Sequence, residues 1–312
     1  MKIDLFKSSE FETKPFLKWA GGKTQLVKEI ERQLPEKIKK SRKIEKYFEP
    51  FVGGGAFFFY LASNYKVKNA YLYDINKELI LTYKVIKNDH EKLIDELIQL
   101  EEEFLDKNEV DRKKFYLKIR KKFNDELSTF DFDNYSLKFV KRASYTIFMN
   151  KTCFNGLFRL NKKAEFNVPM GKYKNPRICD KENIKNVAKV LKNVNIFNKS
   201  FIESERLIDK KSLVYLDPPY RPLNKTSSFT SYSGNEFNDN DQIELYKYFN
   251  RIIEKGAKAI LSNCDPKNED ASDGFFDELY EDYEIIRVKA KRFINCNPEK
   301  RGPINEILVM KI

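Results

Sequence analysis

Residues 213–220 read Leu-Val-Tyr-Leu-Asp-Pro-Pro-Tyr and join an apolar strand to a stiff polar corner. The strand would deliver Asp217 at its carboxyl end, which is where open α/β sheets bind their ligands. Two prolines restrict the turn and leave carbonyl oxygens without competing amide donors nearby. The Asp217 carboxylate and the Pro218 carbonyl could accept the two N–H bonds of an aromatic amine, while Tyr220 stacks on its ring. This pattern predicts attack of such an amine on an electrophile, and a chance surface turn is the alternative.

A second candidate site is a glycine cluster, Phe-Val-Gly-Gly-Gly at residues 51–55, with Asp74 nineteen residues beyond Gly55. Glycines allow a sharp turn after a strand, and an acid at the end of the next strand accepts hydrogen bonds from ribose hydroxyls. Position 58 is Phe, so the third glycine of the dinucleotide fingerprint is missing. A nucleoside without a pyrophosphate, such as S-adenosylmethionine, therefore fits better than NAD. A glycine-rich connection that binds no ligand is the alternative.

A third motif is Lys-Trp-Ala-Gly-Gly-Lys at residues 18–23. Its last residues imitate a phosphate-binding loop, but such a loop needs a glycine at position 17, which is Leu here. The sequence therefore argues against an NTPase. Trp19, the only tryptophan of the chain, is either a core side chain or a cofactor contact. In the second case, Trp19 and Lys23 would contact the adenine and carboxylate parts of a cofactor.

Residues 150–173 concentrate basic and aromatic side chains in a segment that reads as a loop or hairpin. Arg159 offers a fork for guanine, Pro169 an apolar contact for a thymine methyl group, and Phe154 a wedge between bases. Four lysines offer charge to phosphates, namely Lys151, Lys162, Lys163 and Lys172. Between positions 159 and 192, ten basic residues oppose three acids, an excess of seven. The pattern favours DNA as a partner, and a solvated lysine-rich face is the alternative.

The elements that must position these motifs alternate between strand and helix at both ends of the chain. Predicted strands cover 46–49, 70–73, 195–197, 212–216 and 259–262, with a final antiparallel pair at 284–289 and 306–310. Predicted helices cover 56–62, 78–105, 113–127, 136–149 and 242–255. A β-α-β series implies an α/β fold with a mainly parallel sheet, here with an antiparallel edge. We expect one discontinuous domain, 1–86 and 186–312, and a mainly helical insert, 87–185.

Composition limits the class of protein. The chain has 312 residues, 59 Lys+Arg against 47 Asp+Glu, a net charge of +12 and 41% apolar residues, which agrees with a large core and a polyanionic partner. Four scattered cysteines and a single histidine, His90, argue against structural zinc and histidine catalysis. No apolar run reaches the roughly 18 residues of a membrane span, and the N-terminus is unlike a targeting signal. We expect a cytoplasmic protein with no membrane partner and no obligatory protein partner.

Taken in order, the segments KWAGGK, FVGGG, YLYD and DPPY resemble the N6-adenine-specific DNA methyltransferases of the Dam type, the D12 class. The resemblance covers almost the whole chain. It implies a Rossmann-like, S-adenosylmethionine-dependent methyltransferase sheet and a target-recognition domain, mainly helical and with a β-hairpin, at 87–185. The implied activity is methyl transfer from S-adenosylmethionine to N6 of adenine in double-stranded DNA, on a base flipped out of the duplex.

The resemblance also implies roles for individual residues. Those expected at the cofactor are Trp19, Lys23, Phe51, Gly53, Gly55, Asp74, Ser200 and Phe201, together with Asp217. Asp217, Pro218 and Tyr220 would hold the adenine. In the hairpin, Phe154 would enter the base stack, Asn155 and Leu157 would approach the first base pair of GATC, Arg159 a guanine and Pro169 the thymine. Lys172 stands where relatives often have Arg, so a contact there would be altered.

Other functions remain open from the sequence. Related Pro-Pro-Tyr corners serve other amines, such as cytosine N4 or a glutamine amide, although Asp at position 217 and the motif order favour adenine. A DNA-binding protein without enzymatic activity is the alternative from another class, and an ATPase is a remote one. Residues 227–241 are interpreted as a loop that closes over a flipped base, and a plain surface loop is the alternative. The enzyme could accompany a restriction endonuclease, belong to a phage, or act alone.

Overall fold

A single mixed sheet organises the computed structural model, which describes residues 12–19, 21–23, 25–161, 163–221, 237–291 and 303–311. The strands in these residues are β1 (Lys43–Glu49), β2 (Lys66–Asp74), β3 (Val194–Asn198), β4 (Ser212–Leu216), β5 (Lys258–Cys264), β6 (Glu284–Lys291) and β7 (Pro303–Lys311). Their spatial order is β3-β2-β1-β4-β5-β7-β6. The first five strands of that order pair in parallel, and β7 is antiparallel to both β5 and β6. The predicted parallel sheet with an antiparallel edge is therefore confirmed.

Helices cover both faces of this sheet. The α-helices in the described residues are α1 (Val27–Arg32), α2 (Glu36–Ser41), α3 (Ala56–Asn64), α4 (Lys77–Leu105), α5 (Glu109–Asp125), α6 (Lys138–Thr152), α7 (Lys181–Leu191), α8 (Asp239–Glu254) and α9 (Phe275–Leu279). Central strands buried on two faces are expected to be continuously apolar, because parallel crossovers place helices on both sides. Strand β4 shows this: all five of its residues are buried, and Leu213 and Tyr215 join one apolar cluster while Val214 and Leu216 join the other.

The helical insert begins without a break in secondary structure. Helix α4 runs from the sheet into the insert and departs from helical geometry only at Asp89, where φ is −138° and ψ is 36°. The expected boundary between residues 86 and 87 falls inside this helix, just before the kink. One apolar cluster contains side chains of the sheet and of α4, α5 and α6. The division at 87–185 stays a prediction.

A short hairpin-like segment follows α6. Its arms are joined by isolated antiparallel bridges, Cys153 to Met170 and Leu160 to Phe166. Helix α5 supports the returning arm, because the Tyr116 hydroxyl donates to the Val168 carbonyl (2.7 Å) and the Asn124 side chain pairs with the backbone of Phe166. The segment predicted as a loop or hairpin is thus a hairpin with few ladder bonds, held in place by a helix.

Within the described ranges, every helix falls short of the combined length and apolar character that a membrane crossing requires.

Candidate active site

The sheet topology brings the glycine cluster and the Asp-Pro-Pro-Tyr corner to one edge. Strands β1 and β4 are parallel neighbours, with Phe48 opposite Val214, so both segments leave the sheet at the same end. The chain continues from β1 through α3 to β2 on one side of β1, whereas β4 lies on its other side. Such a point, where the strand order reverses, opens a crevice at the carboxyl ends of the strands. We therefore expect the two motifs to line one cleft at this edge.

Two glycines in the loop after β1 are required by geometry. Gly53 has φ +46°, and a Cβ there would lie 2.8 Å from Cδ1 of Trp19. Gly55 has φ +67°, and a Cβ there would lie 2.5 Å from the Tyr83 hydroxyl oxygen. Positive φ is strained for side chains other than glycine, and no space is left for one. Gly53 therefore lets Trp19 pack on the loop, and Gly55 starts α3 against α4.

Asp74, at the end of β2, is tied to this loop. Its Oδ2 accepts the Gly53 N–H (3.1 Å) and its Oδ1 accepts the Asn76 N–H (2.8 Å). Burial raises the pKa of Asp74 to about 6, although the backbone donors of Asn76 and Gly53 oppose that rise. Each carboxylate oxygen can accept more than one hydrogen bond, so Asp74 keeps capacity for hydroxyl donors. Asp74 thus lies beside the glycine loop, and its role as a ribose acceptor stays a prediction.

An aromatic wall borders the same edge. The Phe51 ring stacks on the Phe201 ring with centroids 5.1 Å apart, and Phe237 meets Phe51 edge-on at 6.0 Å. Phe201 opens the 3-10 helix Phe201–Leu207 that follows β3, and Ser200 precedes it. Phe201 is therefore brought to Phe51 from the far side of β2, and Ser200 lies next to Phe201 in the chain. A flat heterocycle is the kind of ligand that stacked aromatic rings bind well.

Asp217 is held by donors from two other segments. The Lys23 ammonium lies 2.9 Å from Asp217 Oδ1, and the Ser262 hydroxyl of β5 donates to the same oxygen at 3.1 Å. Within the described part of the chain, both contacts use Oδ1, which leaves Oδ2 to accept a further donor. Burial raises the pKa of Asp217, and the charge of Lys23 opposes that rise. The carboxylate is thus oriented before any ligand arrives.

Lys23 is the centre of a buried charge cluster. Its side chain is only 3% exposed, and its Nζ lies 3.1 Å from Glu306 Oε2 on β7. The same ammonium donates to the Tyr220 hydroxyl and lies 4.3 Å from the centroid of the Tyr220 ring. Burial disfavours the charged amine, but electrostatic interactions with Asp217, Tyr220 and Glu306 outweigh that effect and raise the pKa of Lys23. The residue expected at the cofactor therefore also contacts the predicted adenine site.

A second buried carboxyl, Glu49, ends β1 beside this cluster. The Tyr47 hydroxyl donates to Glu49 Oε2 at 2.6 Å. Burial raises the pKa of Glu49 to about 8, and the charge of Asp217 adds to the rise. Glu49 is consequently protonated at neutral pH. It adds no negative charge next to Asp217 under those conditions.

The remainder of the corner is fixed by neighbouring elements. Pro218 is buried and Pro219 exposed, and Gln242 of α8 donates to the Pro219 carbonyl at 3.3 Å. The Arg221 guanidinium pairs with Asp239 at the start of α8 and with Asp273 before α9, both at 2.6 Å. These contacts restrain the backbone on the exit side of Tyr220. Most of the loop predicted to close over a base, residues 227–236 of 227–241, lies outside the described residues.

The segment that carries Lys23 is packed directly against the hairpin. Trp19 stacks on Phe158 with ring centroids 5.3 Å apart. The buried amide of Asn150 accepts the Lys18 N–H (2.9 Å) and donates to the carbonyls of Lys18 and Gly156, each at 2.9 Å. Trp19 therefore lies between the glycine loop and the hairpin. Its side chain contacts both the predicted cofactor loop and the predicted DNA-reading hairpin.

Some of the predicted DNA-contacting residues are exposed, and others are held by hydrogen bonds to neighbouring residues. Phe154 is 53% exposed at the hairpin, and its N–H donates to the Pro169 carbonyl at 2.8 Å, so two predicted base-contacting residues are adjacent. Asn155 is exposed with φ +57°, and Leu157 is half-buried. The Arg159 guanidinium is held by Asn167 through a 2.9 Å hydrogen bond from Nε to Oδ1. The DNA-facing roles themselves stay predictions.

The predicted phosphate-binding lysines differ in exposure. Lys163 and Lys172 are exposed, as phosphate contacts require. Lys151 is half-buried at the end of α6, and burial lowers its pKa against the raising effect of Asp180. Lys162 lies outside the described residues. The ammonium group of Lys151 is therefore less available to a phosphate than the ammonium groups of Lys163 and Lys172.

Sequence reasoning missed four residues that this geometry brings into the sites. Glu306 and Ser262 meet Lys23 and Asp217 from β7 and β5. Asn150 joins Lys18 to Gly156, and Asn167 holds the Arg159 guanidinium. The local signal for Glu306 and Ser262 is a polar side chain within a buried apolar strand, which is unusual and costly without a partner. Such a side chain could have been flagged, although its partner could not.

Comparison with known proteins shows one family throughout. A model of the D12 class N6 adenine-specific DNA methyltransferase family matches residues 19–294, a range that contains Trp19, Lys23, the glycine cluster, Asp74, the hairpin and the Asp-Pro-Pro-Tyr corner. The chain is 52% identical over 300 residues to the type II methyltransferase M.MjaIII of Methanocaldococcus jannaschii, covering 96% of this chain and 99% of that protein. It is 37% identical to the type II methyltransferase M1.LlaDCHI of Lactococcus lactis, covering 98% of each. A DNA adenine methylase of Vibrio cholerae is 35% identical, with 95% of each chain covered.

Proposed function

The chain belongs to the D12 class of N6 adenine-specific DNA methyltransferases, and from this premise we propose how its residues bind the methyl donor, the base and the DNA sequence. The enzyme methylates N6 of adenine in DNA. The alternative acceptors, cytosine N4 and a glutamine amide, are not supported by this membership, and neither is a DNA-binding protein without activity. The methyl donor, the recognition sequence and the residue roles are the subject of the proposal.

The proposed methyl donor is S-adenosylmethionine, and the cleft residues fit its chemistry. Asp74 has oxygen lone pairs to accept ribose hydroxyls, and the Phe51–Phe201 stack offers an apolar face for adenine. The negative charge of Asp217 favours a cationic centre nearby. When bound, this cofactor supplies an electrophilic methyl group on a positively charged sulfur. Gly53 has φ +46°, a conformation that favours glycine, so the loop after β1 can turn sharply as the predicted cofactor loop requires.

The proposed adenine site is the Asp-Pro-Pro-Tyr corner. The target base leaves the duplex because chemistry on N6 is obstructed inside the base stack. Asp217 Oδ2 and the Pro218 carbonyl accept the two N–H bonds of N6, and the Tyr220 ring stacks on the purine. The nitrogen exchanges one hydrogen for the methyl group, so a proton must leave, and Asp217 is the carboxylate placed to receive it. Alignment and fixed charges supply the rate.

The observation that supports this proposal is the parallel pairing of β1 and β4, because the glycine loop and Asp217 follow these two neighbouring strands at the same edge of the sheet. We expect Asp217→Ala to abolish methyl transfer while largely sparing DNA binding. Transfer from radiolabelled S-adenosylmethionine and DNA affinity measured by fluorescence anisotropy test this. Asp209→Ala is the matched control, since Asp209 precedes the same strand but pairs with Lys46 (2.6 Å) away from the cleft. Near-normal turnover of Asp217→Ala would refute the role.

The proposed recognition sequence is GATC, read by the hairpin with residues 87–185 as the target-recognition domain. It is supported by the exposed Phe154, by its backbone bond to Pro169 and by the Asn167-held guanidinium of Arg159. Mapping of methylated adenines in plasmid DNA at base resolution tests the sequence. Arg159→Ala should relax discrimination at one base pair, at a cost of about 1–3 kcal/mol. A uniform loss across all sequences would identify Arg159 as a phosphate contact.

We further propose that the enzyme works beside a restriction endonuclease. Support comes from the names of two relatives, which are called type II methyltransferases. A plasmid methylated by this enzyme should then resist a nuclease of the same recognition sequence. Cleavage that is unaffected by complete methylation would speak against such a pairing.

A further inference from the structure

We propose that Glu306 is a positioning residue for methyl transfer, which keeps Lys23 and Tyr220 in place so that Asp217 can present its second oxygen to the target amine. The inference rests on the proposed role of Asp217. Glu306 lies on β7, at the antiparallel edge, about ninety residues from the Asp-Pro-Pro-Tyr corner in the sequence. It is 7% exposed, so its charge is buried with its partners.

Glu306 contacts both other members of the cluster with different oxygens. Its Oε2 lies 3.1 Å from the Lys23 ammonium, and its Oε1 accepts the Tyr220 hydroxyl at 3.1 Å. The Glu306 carboxylate therefore holds Lys23, which contacts Asp217 Oδ1. It also holds Tyr220, whose ring is proposed to stack on the base. Lost positioning matters in such a site, because a misplacement of about 1 Å can reduce the rate by about a hundredfold.

The charge of Glu306 also weakens the interaction between the Lys23 ammonium and the Asp217 carboxylate. An ammonium and an amino group both donate N–H bonds to a carboxylate, so Lys23 competes with the substrate for the same acceptor. With Glu306 present, the single cation is shared between two carboxylates. Without that charge, Asp217 would be its only carboxylate partner among the described residues. The ammonium would then move towards Asp217 and occupy the oxygen that the amine needs.

Surrounding groups do not take over this function. The titratable groups that face Asp217 are Lys23, Glu306, Glu49, Tyr215 and Tyr220. Glu49 is protonated at neutral pH, because its pKa is about 8, and the two tyrosines are neutral because burial raises the pKa of each hydroxyl. Glu306 is therefore the counter-charge that keeps Lys23 from closing the amine site.

The test compares Glu306→Gln and Glu306→Ala with Glu284→Gln, a matched change on the neighbouring strand β6, where Glu284 is exposed. With saturating S-adenosylmethionine and plasmid DNA, we expect kcat to fall by about tenfold or more for Glu306→Gln and further for Glu306→Ala. KM for DNA should stay close to the wild-type value, since the hairpin is unchanged. Glu284→Gln should match the wild type, and circular dichroism should show that all variants are folded.

A double-mutant cycle separates positioning from a merely structural role. If Glu306 acts through Lys23, Glu306→Gln should have little further effect on kcat in a Lys23→Met background. Unchanged kcat in Glu306→Gln, or equal losses in both backgrounds, would overturn the inference. An active Asp217→Ala enzyme would instead defeat the proposed function, so the two failures are distinguishable.

Discussion

We expect Asp74 to determine the pH range in which the proposed cofactor site can be filled. Its pKa in the free protein is about 6, and hydroxyl donors from a ribose would stabilise the charged form and lower that pKa in the complex. Binding of S-adenosylmethionine should therefore be strongest above pH 6. Below that value the dissociation constant should rise, by up to about tenfold per pH unit. Calorimetric titrations between pH 5 and pH 8 measure this dependence.

Asp74→Asn is the control for that pH dependence. An amide has the same shape and does not titrate, so its cofactor affinity should be weaker above pH 6 and should change little with pH. Titration of the ligand itself would appear equally in both proteins. A wild-type affinity that follows the variant's profile at every pH would show that Asp74 does not accept the ribose.

At the residue scale, the sequence predicted side chains whose motifs are local and missed those that arrive from distant strands. Asp74, Gly53 and Asp217 each follow a strand with a recognisable turn, and turn chemistry is written in a few neighbouring residues. Ser262 and Glu306 belong to the site only because β5 packs next to β4 and β7 packs next to β5. Strand order depends on contacts between distant segments, so no local pattern contains it.

At the scale of elements, Asn150 of α6 joins the segment that carries Lys23 to the hairpin. Its amide makes three 2.9 Å hydrogen bonds, to both backbone groups of Lys18 and to the Gly156 carbonyl. We expect Asn150→Ala to weaken cofactor binding and base discrimination together, because both segments lose the same anchor. Leaving these buried groups unpaired should also lower the free energy of unfolding by about 1–3 kcal/mol.

Two measurements check this prediction. One is the dissociation constant for S-adenosylmethionine, and the other is the ratio of kcat/KM between the recognition site and a site with one changed base pair. Asn64→Ala, which removes a single bond to the Tyr60 carbonyl at the end of α3, is the matched control. If Asn150→Ala changes discrimination but leaves cofactor affinity intact, the two segments are not coupled through this residue.

Elements were predicted well where their pattern is long or strongly apolar. Helix α4 was predicted over 78–105 and begins one residue earlier, because its apolar positions repeat over many turns. Helix α7 was missed although Ile184, Val187, Ala188 and Leu191 have helical spacing and are buried. The lysines in and beside this helix make the segment strongly charged, which obscures the apolar spacing. Helices α1 and α2 have six residues each, too few for a periodic signal.

At the scale of the whole molecule, a buried ion pair joins the start of α4, next to the sheet, to α6 in the predicted insert. Arg142 of α6 is fully buried, and its guanidinium donates to Glu78 at the start of α4, with Nε 2.9 Å from both carboxylate oxygens. Rings of Phe123 and Phe130 cover the guanidinium, with centroids 4.2 and 4.6 Å from Cζ. Glu78 lies four residues after Asp74, so the pair fixes α6 next to the cofactor edge.

Arg142→Met should therefore destabilise the entire protein. Removing one partner of a buried pair leaves an uncompensated charge and typically costs about 3–5 kcal/mol, whereas replacing both partners with apolar residues is often close to neutral. We expect the double variant Arg142→Met, Glu78→Leu to recover most of the loss in urea unfolding curves. Lys121→Met, which breaks the exposed pair with Asp125, should have a much smaller effect. If the double variant is no more stable than Arg142→Met, the rings and not the ion pair hold the insert to the sheet.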